Sequence, residues 1–377
     1  MTAPRRVGIV ASAQTELRSA WPGHQHVDLI SHAVTRALAG SGLRLEDVDF
    51  VIDSGSDVLD GRSISNCGFL GALGAHHKEE SRVEEDGLWA ALYGVTKIAA
   101  GSADVGLIVA YSKPSESDLA TFYWTQCEPF YQRPVGLDHV AASGLQAQAY
   151  LGEFGLSPEI FARVVARDWS AAARNPWVDV AAAPGADEVA ASPPAARPLR
   201  RLEMSRPVDG AVAVLLATEQ VARRVTPTPV WVTGMGTALD QHSFARRARS
   251  SLPACRAAAE MAYRRAGIED PAGMSLVETG AGSATGELMV LEALGLAEAG
   301  RAIGLYDGAA GIAVNPSGGS LPADPVMATG LVRLSEASLQ LSGRVDHAPP
   351  GATTAIVHGT GGVGMQNHCV FTLEAAA

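Results

Sequence analysis

Three acids and a glycine stand at the head of an apolar run in "RVEEDGLWAALYGV", residues 82–95. Aspartate just before a helix is a favoured N-cap. Asp86 is therefore expected to cap a helix over residues 87–100, a role compatible with proton exchange, while Glu84 and Glu85 are expected to be solvated or capping. Asn315 with Gly318 and Gly319 ("VNPSGG") is expected to shape a turn through side-chain-to-backbone hydrogen bonds. In "HGTGGVG", Gly361, Gly362 and Gly364 allow close approach of backbone to a ligand. His76 and His77 are adjacent, so on a strand they point apart and make a poor metal site. Cys67, Cys127, Cys255 and Cys369 are scattered without a CxxC pair, so no zinc site or disulfide frame is expected and a reducing cytoplasm fits. In "FYWTQCEPFYQRP", Cys127 reads as packing, and Tyr123, Trp124, Phe130 and Tyr131 suit an apolar tunnel or a partner surface.

These residues need a frame. "RRVGIVASAQTEL", "LEDVDFVIDSGS" and "ADVGLIVAYSK" read as strands, and "VDLISHAVTRALAGSGL" and "GLWAALYGVTKIAAG" as helices closed by glycine. Alternating strand and helix indicate a layered α/β architecture. The pattern then returns: "TPVWVTGMGTALD" echoes the first strand, "ATGLVRLSEASLQLSG" echoes "EDGLWAALYGVTKIAAG", and "TTAIVHGTGG" echoes "VGLIVAYSK". An internal duplication is expected, with halves at 1–224 and 225–377 and extra length in the first half over about 112–205. Within that stretch "PGADEVAASPPAARP" reads as a mobile surface loop. The net charge of −11 argues against nonspecific nucleic-acid binding. No apolar stretch has the length of a membrane span or a signal-peptide core, so neither is expected.

A duplicated α/β chain of this length resembles the thiolase superfamily, in particular its sterol-carrier-protein type. The resemblance is carried by "YLGEFGLSPEIFARVVARDWSAAARNP", "RPVDGAVAVLLATEQVARR", "LVETGAGSATGELMVLEALGL", "VNPSGGSLPADPVMATGL" and "VHGTGGVG", which together span nearly the whole chain. It implies a duplicated thiolase fold: five layers, αβαβα, in two similar halves with mixed sheets. It also implies a coenzyme A thioester as substrate in a cleft between the halves, with no covalently bound cofactor. In the family a cysteine at the head of a buried helix attacks the thioester, and a histidine from Gly-His-Pro activates it.

Here the family's chemistry is rewritten. The nucleophile's position falls at about Gly87, beside Asp86, and the nearest cysteine in sequence, Cys67, is twenty residues earlier. Gly-His-Pro has become Ala-Asp-Pro, with Asp324 in place of histidine, and the segment after Glu278 is "TGAG" without a usable side chain. His358 matches the histidine of the final glycine loop. Three readings stay open. The first is a carbon–carbon bond enzyme on acyl-CoA or acyl-carrier thioesters without an acyl-cysteine, similar to retro-aldolases of this branch. Asp86, Asp324, Glu278 and His358 would then be its acid/base groups, with Gly87, Asn315, Gly318, Gly319, Gly361 and Gly362 around the thioester. The second is an inactive scaffold subunit beside an active thiolase-like or ketosynthase-like chain. The third is a binding module for acyl-CoA or lipid. The resemblance further implies a homodimer paired along "ADVGLIVAYSK" and a small OB-fold/zinc-ribbon partner of the DUF35 type.

Overall fold

The computed structural model of the chain describes residues 5–307 and 311–376. The first half runs β1 (Val7–Gln14), α1 (His26–Ser41), β2 (Phe50–Ser54), two short helices α2 (Asp57–Asp60) and α3 (Leu70–Leu73), β3 (Glu79–Val83), α4 (Gly87–Ala99) and β4 (Val105–Ser112). An inserted region follows with α5 (Leu119–Thr125), α6 (His139–Phe154), α7 (Ile160–Ala172), α8 (Ala186–Ala191) and the small strands β5 (Pro194–Ala196) and β6 (Leu199–Arg200). β7 (Gly210–Thr218) and α9 (Glu219–Val225) close this half. The second half runs β8 (Val230–Leu239), α10 (Pro253–Ala266), β9 (Leu276–Thr279), α11 (Ala284–Ala293), β10 (Ala313–Val314), α12 (Thr329–Leu341), β11 (Thr354–Gly361) and β12 (Asn367–Ala375).

The strands of the first half lie in the order β3-β2-β4-β7-β1, and those of the second in the order β10-β9-β11-β12-β8. The pattern of parallel and antiparallel neighbours is the same in both. The expected two mixed sheets are joined where Val7–Ile9 pairs with Val230–Val232, giving one sheet of ten strands. Helices α4 and α12 pack against each other between the two half-sheets, while α1 and α10 cover the outer faces, which makes the five layers. Close approach there needs small residues: a Cβ on Gly87 would lie 2.7 Å from both Ala110 and Leu331. Nearly every residue of α12 is buried, so its charged groups must be paired inside the protein. Arg333 meets Glu278 at 3.1 Å, and Glu336 meets His347 at 3.0 Å.

Two expectations are corrected. The strand "ADVGLIVAYSK" is β4, interior to the sheet between β2 and β7, so it is no pairing edge. Its continuous apolar character reflects cover on both faces and both sides; the edge strand of this half is β3, "EESRV". The segment "PGADEVAASPPAARP" is ordered as α8 and a β5–β6 hairpin, anchored by the fully buried Val189 and Leu199. No helix among the described residues is long and apolar enough to cross a membrane.

Candidate active site

The heads of α4 and α12 meet at Asp86. Its Oδ1 accepts the Leu88 N–H at 2.9 Å as N-cap of α4, and its Oδ2 accepts the Gly330 N–H of α12 at 2.7 Å. One carboxyl thus lies at the positive ends of two helices. Burial nevertheless pushes its pKa up to about 8, with the charges of Glu85 and Asp324 adding in the same direction. Two glycines leave room for it: a Cβ on Gly330 would stand 2.0 Å from Asp86 Oδ1, and one on Gly359 2.8 Å from it.

Asp86 lines a cavity of about 410 Å³ together with Asp324, Glu85, Gly361 and Gly362. Asp324, ahead of α12, accepts from Thr329 Oγ1 at 2.6 Å, Val326 N at 3.0 Å and Ser205 Oγ at 2.6 Å. Burial raises its pKa, and these three donors oppose the rise. Glu85 is likewise raised by burial while accepting from Asn367 Nδ2 at 2.7 Å. The inserted region supplies the opposite wall: Tyr123 of α5 and His139 at the start of α6, rings stacked at 3.7 Å between centroids. Burial pushes His139 down to about 4, so it is neutral at pH 7, and its buried Nδ1 has no partner among the described residues. Burial and the charge of Asp324 hold the Tyr123 hydroxyl in its protonated form.

No cysteine lines this cavity. Cys67 is exposed, and Cys127 is packed with its Sγ 3.3 Å from the Leu137 carbonyl. Cys369 is within electrostatic reach of Asp86, but burial and the charges of Asp86 and Glu85 push its thiol pKa up. That is the opposite of what activates a nucleophile.

Several residues expected at the site lie elsewhere. His358 is fully buried on the other face of β11, with Nε2 3.0 Å from His368 Nδ1. Side chains alternate along a strand: Val357 joins the core around α4 and α12, Ile356 that of α10 and α11, and His358 follows Ile356. Gly359 faces Asp86 instead. Glu278 is an internal fastener that accepts from Ser317 N, Ser317 Oγ, Gln340 and Arg333. Asn315, at φ +43°, accepts the Thr279 N–H at 2.9 Å and so shapes the turn. Gly318 packs on Ala172 and Gly319 on Asn315, away from the cavity. Gly87 sits in the α4–α12 contact behind it.

Residues 236–374 match the family described as "Thiolase C-terminal domain-like". An acetyl-CoA acetyltransferase of Methanothermobacter thermautotrophicus is 25% identical over 96% of this chain and 97% of its own length. The solved structure titled "Ltp2-ChsH2(DUF35) aldolase" superposes with a TM-score of 0.85 at 21% identity, covering 99% of each chain. A monomeric SCP2-thiolase-like protein type 1 from Mycobacterium smegmatis gives 0.77 at 21% identity, over 99% of this chain and 78% of that one. The chain has the thiolase fold, and its second half matches the thiolase C-terminal family.

At the head of α4, where the resemblance places a nucleophile at about Gly87, the chain carries the capping Asp86, and the facing strand presents Gly359 without a side chain. The sequence offered Tyr123 for an apolar tunnel or a partner surface, and it lines the cavity; His139 beside it carried no signal. The aromatic run was visible, but nothing local shows that α5 and α6 fold across the joint between the halves.

Proposed function

We propose that the protein makes or breaks a carbon–carbon bond in an acyl-CoA or acyl-carrier thioester by acid/base chemistry, in the retro-aldol manner and without an acyl-cysteine. The observation that carries this reading is the cavity in which Asp86 and Asp324 stand together, both raised by burial, with no cysteine in its wall. Asp86, at about 8, holds a proton at neutral pH. Asp324, whose two hydroxyl donors and one N–H donor oppose the rise that burial causes, serves as base. With a β-hydroxyacyl thioester, Asp324 takes the hydroxyl proton and the Cα–Cβ bond breaks. The electron pair is held as the thioester enolate, and the proton of Asp86 passes to Cα. A carbonyl compound and a shortened acyl thioester leave. His139, neutral, and the Tyr123 hydroxyl orient the oxygens. The likeness to a structure titled an aldolase supports this assignment.

A second reading has its own support. Both oxygens of Asp86 are engaged by helix amides, as in an internal fastener, and Gly359 offers no partner group. This favours a scaffold subunit beside an active thiolase-like chain. Incubation with synthetic 3-hydroxyacyl-CoA, followed by mass spectrometry of the CoA esters, separates the two. Release of a shortened acyl-CoA, lost in Asp324→Asn, supports the enzyme. No turnover across chain lengths, alone and with a co-purified small zinc-ribbon partner, leaves the scaffold. We further propose the halves at 1–224 and 225–377, a cytoplasmic location, and a homodimer formed along the edge strand β3.

A further inference from the structure

On the side of β11 and β12 facing away from the cavity, three soft donors converge. Cys255 in the first turn of α10, His358 of β11 and His368 of β12 are all buried, and one ligand atom of each lies within 4.8 Å of the others. Cys255 and His358 are far apart in sequence, so no spacing motif announces them. The geometry points to a buried binding site for one soft d¹⁰ metal ion, Zn²⁺ or Cu(I), held by Cys255, His358 and His368.

The local arrangement is that of metal ligands with an outer shell. His368 Nε2 donates to the Met365 carbonyl at 3.0 Å, which leaves Nδ1 as a lone pair directed at its neighbours. A backbone carbonyl fixing the tautomer in this way is the usual support of a metal-bound histidine. His358 Nε2 lies 3.0 Å from His368 Nδ1, with ring centroids 5.3 Å apart. Two nitrogens bound to one ion at about 2.0–2.1 Å are brought to roughly this separation. Without an ion the same pair forms an N–H···N bond, and His358 Nδ1 is buried without a hydrogen bond of good geometry among the described residues. Both imidazoles are held neutral by burial, the form that ligates. Burial also raises the Cys255 thiol, so binding would release its proton. A thiolate with two imidazoles makes a neutral site around Cu(I), which suits the apolar surroundings of Ile356 and Val370.

The ion would tie α10 to the turn between β11 and β12. Met365, whose carbonyl holds His368, also lines the cavity, so the site would stiffen that wall.

The test is metal content. Protein stripped with chelator under mild denaturation, refolded, and given Zn²⁺ or reductant-protected Cu(I) in separate arms is desalted and measured by elemental mass spectrometry. About one equivalent per chain is expected in at least one arm. Co²⁺ in place of Zn²⁺ is expected to give a thiolate-to-metal charge-transfer band that disappears in Cys255→Ser. Retention is expected to fall at least about tenfold in His368→Asn, the change expected on loss of a ligand. Failure of the wild-type protein to retain either metal overturns the proposal, as does retention unchanged in both variants. Neither outcome depends on whether the cavity is catalytic.

Discussion

At the residue scale the cavity turns on two carboxyls with different surroundings. Asp324→Asn conserves volume and removes the titrating group, so the variant is expected to fold and bind acyl-CoA. Its turnover should fall by about 10²-fold or more, the usual cost of losing a general acid or base. Single-turnover kinetics on 3-hydroxyacyl-CoA check this, and an unchanged rate removes Asp324 from the chemistry. Asp86 makes a different prediction. Its folded pKa of about 8 is above its ordinary value, so between those limits the folded protein holds a proton that the unfolded chain releases. Stability from this group is present below the unfolded pKa and is lost as pH rises toward about 8. Asp86→Asn should flatten that part of the stability–pH curve in denaturant titrations from pH 5 to 9. It should also cost about 1–3 kcal/mol, because an amide NH₂ cannot accept from one of the two helix N–H groups. A variant with the wild-type slope would show that Asp86 is ionised throughout.

At the scale of elements, the central helices are the part least tolerant of change. Gly330→Ala places a Cβ on the Asp86 carboxylate and crowds Leu88. Overpacking of this kind costs about 1–3 kcal/mol, and here it should also push Asp86 from the α12 amide, so a lower melting temperature and lost turnover are expected together. Glu278→Gln tests the fastening between β9 and α12. It leaves Arg333, itself buried, without its anionic partner, a loss that costs about 3–5 kcal/mol. Chemical denaturation measures it, and a change below about 1 kcal/mol would show that water or a rearranged neighbour meets the arginine.

At the scale of the molecule, the duplication sets two helix heads against each other, and the inserted region roofs the junction. That arrangement makes a cavity without placing a thiolate in it. A mass-tagged acyl-CoA is therefore expected to leave all four cysteines unmodified, and iodoacetamide to label the exposed Cys67 without affecting turnover. A stoichiometric acyl adduct on Cys369, the thiol nearest in charge to Asp86, would replace the acid/base reading with a covalent one. The β3 edge predicts a dimer in sedimentation at micromolar concentration, and a monomer would leave that edge to a different partner.

Short-range patterns made much of this legible in the sequence. The strand and helix periods, the glycine stops and the echo between residues 85–101 and 328–343 determined a duplicated α/β fold. Asp86 before an apolar run determined the cap of α4, and the missing cysteine beside it was plain. Those features depend on neighbours along the chain. The rest depended on which distant segments meet. His358 is one residue from the position that faces Asp86, and strand parity near a glycine turn is settled only by pairing with β9 and β12. Asn315, Gly318 and Gly319 look like a ligand loop but brace β9, because α7 packs against them. β4 is interior and β3 the edge because of strand order, which an apolar run cannot reveal. Tyr123 and His139 reach the cavity because the inserted helices cross the joint between the halves. The convergence of Cys255 with His358 and His368 has the same origin, since only the stacking of α10 on β11 and β12 brings them together.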